Sequence, residues 1–181
     1  MKVTETELKG CFILEPKIFK DERGYFFESF NQKEFCKAIG QEVNFVQDNQ
    51  SFSKKGVLRG LHFQKGEHAQ AKLVSVWEGK VQDVVVDIRK GSPTYGQHIS
   101  MELSSENKRQ LFVPRGFAHG FLVLSETARF FYKCDNYYNK EAEGGIRYND
   151  EVLGINWQYP PNQVFPSSKD LAQPFLSSLF L

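Results

Sequence analysis

Polar side chains that could serve one pocket are concentrated in residues 56–64, GVLRGLHFQ. Arg59, His62 and Gln64 lie there among apolar residues that would pack in a strand. Side chains alternate between the two faces of a strand, so Arg59 and His62 should point in opposite directions. If both serve the same pocket, Gly60 must mark a β-bulge or a sharp twist. The segment thus offers a guanidinium, an imidazole and an amide.

Two further charges fall on one face of a predicted hairpin, residues 72–88, KLVSVWEGKVQDVVVDI. If Glu78 and Gly79 form a two-residue turn, Lys72 lies diagonal to Asp83 on a face that otherwise carries valines. Such an apolar face should point inward, where a charge needs a partner or a function. A surface ion pair is the alternative interpretation.

The same alternation predicts inward polar groups in two later strands. In residues 117–123 His119 shares its face with apolar side chains and should point inward. In residues 130–134 Tyr132 does the same, so its hydroxyl should be buried and need a hydrogen-bond partner. A core tyrosine with a satisfied hydroxyl remains an alternative at this stage.

The segments that must position these side chains are mostly short strands. The sequence contains 17 Phe and 7 Tyr, which strands favour, and turn-forming clusters separate its apolar runs. This pattern is typical of an all-β sandwich or a closed barrel. One segment predicts a helix, with Asn31 as its N-cap, Glu34 at the capping-box position and Gly40 at its end.

Length and composition limit the class of protein. The 181 residues predict a single domain over residues 1–181, and 23 basic against 22 acidic residues give no broad attraction to nucleic acid. Three widely separated cysteines fit neither a disulfide framework nor a thiolate metal site. The first residues lack the apolar core of a leader, and no apolar run approaches the length of a membrane span. We therefore expect a cytoplasmic protein that binds neither membranes nor nucleic acid.

Two segments resemble motifs of the cupin superfamily. The first motif is a glycine followed by five residues and then His-x-His, and the second contains Pro-x-Gly-x-x-His. Residues 56–62 and 114–119 match them. The resemblance implies an all-β cupin-type jelly roll (double-stranded β-helix) barrel with a few short helices. However, Gln64 stands where the second metal histidine is expected, and the glutamate of the first motif is out of register. Two histidines and an amide are weak ligands, so we predict no metal and disfavour metal-dependent dioxygenase or phosphosugar isomerase activity.

The sequence is most similar, within that superfamily, to the dTDP-4-dehydrorhamnose 3,5-epimerase family, over residues 19–170. The matching segments occur in order: FKDERGYFFESF, FVQDNQSFS, GVLRGLHFQ, QAKLVSVWEGKVQDVVVDIRKGSPTYG, FVPRGFAHGFLVLSE, YKCDNYY and SSKDLAQP. The resemblance implies epimerisation of dTDP-4-dehydro-6-deoxy-D-glucose at C3 and C5 to dTDP-4-dehydro-L-rhamnose, without a cofactor. Such a reaction needs a base, a group that stabilises an enolate, and an acid on the opposite face of the sugar.

The resemblance also implies residue roles. His62 is implied as the base, with Asp170 as the carboxylate that orients it. Lys72 is implied to hold the enolate oxygen, and Tyr132 is implied as the acid. Arg59, Asp83 and His119 are implied to complete the polar shell and to bind substrate. The resemblance also implies further substrate-binding positions, which match the family's nucleotide contacts: Arg23, Phe26, Glu28, Gln47, Asn49 and Tyr138.

Arg23 and Arg59 are implied near the pyrophosphate, and Tyr138 against the thymine. Arg23 could instead belong only to a turn, and Tyr138 to a solvent-facing loop. The family is implied to form homodimers, so a partner subunit could supply some nucleotide contacts. Three alternatives remain open: an epimerase acting at C3 only, a ketoisomerase of a related dTDP-4-keto-6-deoxy sugar, and a non-enzymatic sugar-binding cupin.

Overall fold

Residues 1–179, the part of the chain that the computed structural model describes, are built mainly from short strands. The strands are β1 Lys2–Glu5, β2 Phe12–Glu15, β3 Phe19–Asp21, β4 Gly24–Phe26, β5 Gln47–Lys54, β6 Leu58–Gln64, β7 Lys72–Glu78, β8 Lys80–Asp87, β9 His98–Ser104, β10 Gln110–Val113, β11 Phe117–Val123, β12 Thr127–Cys134 and β13 Glu143–Gly145. The α-helices are α1 Gln32–Ile39 and α2 Ser168–Leu171, and short 3₁₀ turns cover Gly66–His68, Lys140–Ala142, Pro161–Gln163 and Leu176–Ser178.

The strands form two large sheets that face each other. One has six strands in the order β1-β2-β10-β7-β12-β5, and the other has five in the order β13-β6-β11-β8-β9. The β3 and β4 strands form a separate hairpin. This arrangement confirms the all-β prediction. Within residues 1–179 no strand ladder joins the two sheets, so they pack as open layers of a jelly roll.

The main core lies between the sheets and confirms the predicted inward faces. Val74 and Val76 of β7 pack in the same cluster as Val81 and Val85 of β8. Each fully buried aliphatic side chain of this size contributes about 1.5–3 kcal/mol. The interior is therefore apolar around the few charged groups that enter it.

The predicted hairpin between β7 and β8 is wrong. The β7 strand pairs with β10 and β12, whereas β8 pairs with β11 and β9. Gly79 has a φ of 77°, and a Cβ there would lie 2.0 Å from the carbonyl oxygen of Thr127. The chain thus crosses from one sheet to the other at this glycine. As a result, Lys72 and Asp83 belong to opposite sheets and face the same interior, rather than lying diagonal in one sheet.

Helix α1 has the predicted ends. The side chain of Asn31 accepts a hydrogen bond from the backbone N–H of Glu34 at 3.2 Å, and Gly40 adopts a left-handed φ of 73°. Phe35 and Ile39 are buried against the outer face of the six-stranded sheet. None of the helices within residues 1–179 is long and apolar enough to cross a bilayer.

Helix α2 was not predicted, although its first turn carries a recognisable signal. Ser167 accepts a hydrogen bond from the backbone N–H of Asp170, and the Asp170 carboxylate accepts one from the N–H of Ser167. This capping box fixes the short helix. A bridge between Val57 and Phe165 holds the preceding residues beside β6, which brings Asp170 toward His62.

Candidate active site

A cavity of about 470 Å³ lies against strands of both sheets and the C-terminal segment. The side chains that line it are Gln50, Ser51, Val57, Leu58, Arg59, His62, Lys72, His119, Phe121, Phe130, Tyr132, Glu143, Phe165, Pro166, Ser167, Lys169 and Asp170. It therefore combines several titratable groups with apolar walls, as binding pockets usually do.

A β-bulge places Arg59 and His62 on the same cavity. His62 pairs with His119, and Arg59 pairs with Phe121, so β6 has one more residue than β11 between these two pairs. Gly60 lies inside the bulge, and a Cβ on it would be 2.5 Å from the Cα of Gly120. The predicted irregularity at Gly60 is confirmed. It reverses the usual alternation, so both polar side chains reach one pocket.

His62 and Asp170 form a hydrogen-bonded pair. Nε2 of His62 lies 2.5 Å from Oδ1 of Asp170, and the second carboxylate oxygen accepts from the hydroxyl of Ser167 at 2.6 Å. Burial raises the pKa of Asp170, but the hydrogen bonds from His62 and Ser167 outweigh it and lower the pKa below its usual range. Asp170 is therefore a carboxylate near neutral pH. Its negative charge favours the His62 tautomer that carries a proton on Nε2, the nitrogen that faces Asp170.

A second histidine and carboxylate lie deeper in the interior. Nε2 of His119 contacts both carboxylate oxygens of Asp83, at 2.9 and 3.1 Å. Asp83 is fully buried, and this burial raises its pKa, although His119 and Lys72 oppose the rise. His119 reaches the cavity wall, while Asp83 lies behind it. Asp83, which we expected to bind substrate, therefore contacts His119 and does not line the cavity.

Lys72 enters the cavity from the opposite sheet. Its Nζ lies 5.8 Å from the centre of the Tyr132 ring, and within residues 1–179 it has neither an ion pair nor a hydrogen bond. Burial lowers the pKa of Lys72, and the charges of Cys134 and Asp83 only partly offset this effect. The ammonium group is therefore close to several charges but is not neutralised by contact with any of them.

Tyr132 lines the cavity from β12, next to the stacked rings of Phe121 and Phe130, whose centres are 4.1 Å apart. Burial raises the pKa of Tyr132, so its hydroxyl is protonated near neutral pH. We expected this hydroxyl to be bonded to a neighbour, but among residues 1–179 it has no hydrogen bond. It is available instead to a molecule in the cavity.

Tyr138, Glu143 and Lys169 form a cluster at the rim of the cavity, and of these three the sequence analysis predicts only Tyr138. One carboxylate oxygen of Glu143 accepts hydrogen bonds from Nζ of Lys169 at 2.5 Å and from the hydroxyl of Tyr138 at 2.8 Å. Burial raises the pKa of Glu143, but these two donors outweigh it and lower the pKa. Only the EGG sequence of β13 and the position of Lys169 beside Asp170 could have pointed to this cluster.

Gln47 and Asn49 lie on β5 beside the rim rather than on the cavity wall. Nε2 of Gln47 donates to Oδ1 of Asn49 at 3.1 Å, and Oε1 of Gln47 accepts from the backbone N–H of Tyr138 at 3.0 Å. Asn49 is the pairing partner of Tyr132 on the neighbouring strand. The structure therefore brings both residues close to Tyr132 and Tyr138.

Arg23, Phe26 and Glu28 are not brought to this cavity within one chain. Arg23 is exposed on the β3–β4 hairpin and pairs with Asp21 at 2.5 Å, and Phe26 is 69% exposed. Glu28 accepts a hydrogen bond from Asn31 at the start of α1. Phe26 and Glu28 line a different cavity, next to α1. These three residues lie outside the wall of this cavity.

The donor groups do not form a recognisable metal site. Within residues 1–179 no three His, Cys, Asp or Glu side chains are grouped closely enough to hold a metal ion. Gln64 is turned instead toward the rim, where its Oε1 accepts from the backbone N–H of Asn139 at 2.9 Å. Independence from metal remains a prediction.

Comparison with known proteins places the chain in a class of carbohydrate epimerases, isomerases whose fold is a cupin-type jelly roll. It is 56% identical to the dTDP-4-dehydrorhamnose 3,5-epimerase of Salmonella typhimurium, over 100% of this chain and 98% of the relative. The sequence profile of dTDP-4-dehydrorhamnose 3,5-epimerase matches residues 5–178. The chain belongs to this family.

Two crystal structures show the same fold at high sequence identity. The dTDP-4-dehydrorhamnose 3,5-epimerase of Elizabethkingia anophelis superposes with a TM-score of 0.94 at 58% identity, covering 98% of this chain and 97% of that one. An epimerase of Legionella pneumophila, in complex with dTDP-4-keto-L-rhamnose, superposes with a TM-score of 0.94 at 51% identity, covering 98% and 94%. The predicted cupin-type jelly roll is thereby confirmed.

Proposed function

We propose that this chain epimerises dTDP-4-dehydro-6-deoxy-D-glucose at C3 and C5 and releases dTDP-4-dehydro-L-rhamnose. The observation that carries the proposal is the His62–Asp170 pair, which shares one cavity with Lys72 and Tyr132. The product-bound Legionella relative, which has the same fold, supports this choice of substrate. A binding module would have no need for a base, an enolate-stabilising cation and an acid in one pocket.

The first step is removal of a proton next to the C4 ketone. Nδ1 of His62 takes the C3 or C5 proton, because Nε2 is held by the Asp170 carboxylate. Asp170 then stabilises the imidazolium that forms, as the carboxylate of a His–Asp pair does. The electrons of the broken C–H bond move into the carbonyl and give an enolate.

Lys72 stabilises the negative charge on the C4 oxygen. Its ammonium group is enclosed between the sheets and lacks a contacting carboxylate among residues 1–179, so its field is directed into the cavity. A preorganised charge in such a site is worth much more than in water. Tyr132 then returns a proton to the opposite face of the same carbon, which inverts it. The raised pKa of Tyr132 keeps this proton in place until it is needed.

The nucleotide is bound at the rim. Arg59, whose Nε donates to Ser53 at 3.0 Å, is placed for the pyrophosphate, and the ring of Tyr138 provides a stacking surface for the base. Glu143 and Lys169 lie between this surface and His62, where they can meet sugar or phosphate oxygens. Gln47 and Asn49 complete this end of the site.

The remaining nucleotide contacts come from a second subunit in this proposal. Arg23 and Phe26 project from an exposed hairpin, which supports a homodimer in which each hairpin reaches the partner's rim. The outer face of the six-stranded sheet also exposes aromatic rings, with Trp77 stacked on Phe131 at 4.3 Å. An exposed aromatic patch of this kind is typical of an interface.

The three free thiols of the chain, all buried, support a reducing cytoplasmic location.

One experiment tests the proposed reaction. The protein is incubated with dTDP-4-dehydro-6-deoxy-D-glucose in deuterium oxide, and the C3 and C5 proton signals are followed by NMR. We expect loss of both signals and appearance of the L-rhamno product. Exchange at C3 alone would assign the chain to the C3-only epimerases. A product with its keto group at another carbon would indicate a ketoisomerase, and the absence of any exchange would indicate a non-enzymatic sugar-binding protein.

A further inference from the structure

Two glutamine side chains hold consecutive backbone N–H groups at the rim of the cavity. Oε1 of Gln47 accepts from the N–H of Tyr138 at 3.0 Å, and Oε1 of Gln64 accepts from the N–H of Asn139 at 2.9 Å. Gln47 comes from β5 in one sheet and Gln64 from β6 in the other. The backbone at Tyr138 is therefore attached to both sheets at once.

Gln64 is the more enclosed of the two anchors. It is 7% exposed, it follows His62 at the next position on the same face of β6, and it pairs with Glu143 across the ladder to β13. Tyr138, in contrast, is 52% exposed and has little packing to hold it. The position of an exposed ring on a loop depends on the hydrogen bonds of its backbone, because apolar contacts contribute little there.

The ring of Tyr138 is connected in turn to the catalytic pair. Its hydroxyl donates to Glu143, which also accepts from Lys169, the residue next to Asp170 in α2. A shift of the backbone at Asn139 would therefore displace the ring and break its bond to Glu143.

We infer that Gln64 is a positioning residue for substrate binding: it holds the N–H of Asn139 and thereby fixes the Tyr138 ring against the base of the nucleotide. This inference rests on the proposed function, in which Tyr138 contacts the thymine. Gln64 does not take part in proton transfer. It follows that its loss weakens binding of the nucleotide and leaves the rate of the bound substrate almost unchanged.

A double-mutant cycle tests this inference with Gln64→Met, Tyr138→Ala and the combined variant. Methionine keeps the unbranched stem and removes the acceptor oxygen. Affinity for dTDP is measured by calorimetry, and kcat and KM are measured with dTDP-4-dehydro-6-deoxy-D-glucose. We expect Gln64→Met to weaken dTDP binding and raise KM by about five- to tenfold, with kcat within about twofold of wild type. In the Tyr138→Ala background the same change should alter the affinity by less than about twofold.

The possible failures can be told apart. If Tyr138→Ala binds dTDP as well as wild type, the base contact in the proposed function is wrong. If Tyr138→Ala binds weakly but the effect of Gln64→Met is absent, purely additive or confined to kcat, the role of Gln64 is wrong. Hydrogen exchange of the wild-type Asn139 amide is a check that needs no variant: we expect it to be slowed by about 100-fold or more relative to an unstructured peptide, and free exchange would also overturn the inference.

Discussion

Replacing Lys72 by methionine should separate catalysis from stability. Within residues 1–179 the ammonium group has no ion pair or hydrogen bond, and burial lowers its pKa, so the folded state disfavours its charge. Replacing an enclosed charge by an apolar side chain of similar length is often neutral or stabilising. We expect the free energy of unfolding of Lys72→Met at pH 7 to be unchanged or about 1 kcal/mol higher than that of wild type.

The difference in the free energy of unfolding between Lys72→Met and the wild type should become smaller as pH rises. The pKa of Lys72 is lower in the folded than in the unfolded state, so folding is opposed whenever the group must carry its charge. The free energy of unfolding of the wild type therefore increases relative to that of the variant as pH rises through the folded pKa of Lys72 toward the unfolded value of about 10.4. Urea unfolding at several pH values measures this convergence.

The activity of Lys72→Met should fall, although its stability is kept. One preorganised contact to a developing oxyanion is worth about 3–4 kcal/mol, so kcat of Lys72→Met should fall by about 100- to 1000-fold. Product formation is followed by NMR in parallel with the unfolding curve. The matched control is Lys80→Met, since Lys80 is half exposed, pairs with Glu102 at 3.6 Å and lies outside the cavity lining. This control should retain full activity and lose at most about 1 kcal/mol of stability.

Two results would refute this reasoning. Turnover of Lys72→Met within about threefold of wild type would mean that the charge is not needed at the enolate. A loss of activity that is matched by a loss of folded protein would mean that Lys72 is a structural partner of Asp83.

Four further predictions concern the other groups of the site. His62→Ala should abolish deuterium exchange at both C3 and C5 in the NMR assay, and exchange that persists at either carbon would require a second base. Tyr132→Phe should keep the fold and dTDP affinity and allow exchange with retained configuration, whereas inversion at the wild-type rate would make Tyr132 a core residue. Asp170→Asn should lower kcat by about 100-fold or more, because the imidazolium loses its counter-charge. Since the folded pKa of Asp170 is lowered, the wild type should be more stable than this variant in urea above about pH 4, and the difference should disappear as pH falls through the folded pKa. Finally, activity should survive exhaustive chelation, and loss that added zinc, iron or manganese restores would contradict a metal-free mechanism.

The sequence predicts the inward faces of single strands well. Alternation alone places His119 and Tyr132 on the interior side, and the glycine at position 60 indicates the bulge that brings Arg59 and His62 together. These predictions succeed because they depend on residues that are close in the chain. Burial then forces the apolar face inward, whatever the strand's neighbours are.

Strand pairing is less accessible to the same reasoning. Gly79 has the sequence context of a tight hairpin turn, but the strands on either side of it pair with strands far away in the sequence. A positive φ at a glycine serves a crossing between sheets as well as a hairpin. Local sequence cannot distinguish the two, because the choice depends on the long-range pairing of β7 and β8.

The rim of the site is the least predictable part. Glu143 and Lys169 are polar residues in irregular segments, where no periodicity indicates which way a side chain points. Asp170 was assigned only through family resemblance, although its capping box with Ser167 is a local signal. Arg23 and Glu28 match the family pattern, but within one chain they lie away from the cavity.

The bond between His62 and Asp170 joins residues 108 positions apart in the chain. Helix α2 belongs to neither sheet and contacts β6, so we expect it to dock only after β6 has been paired. During refolding from denaturant, the sheets could acquire their far-ultraviolet circular dichroism signal before α2 docks beside β6. Recovery of epimerase activity would then lag behind that spectroscopic signal, and the delay would report the docking of the segment that carries Asp170.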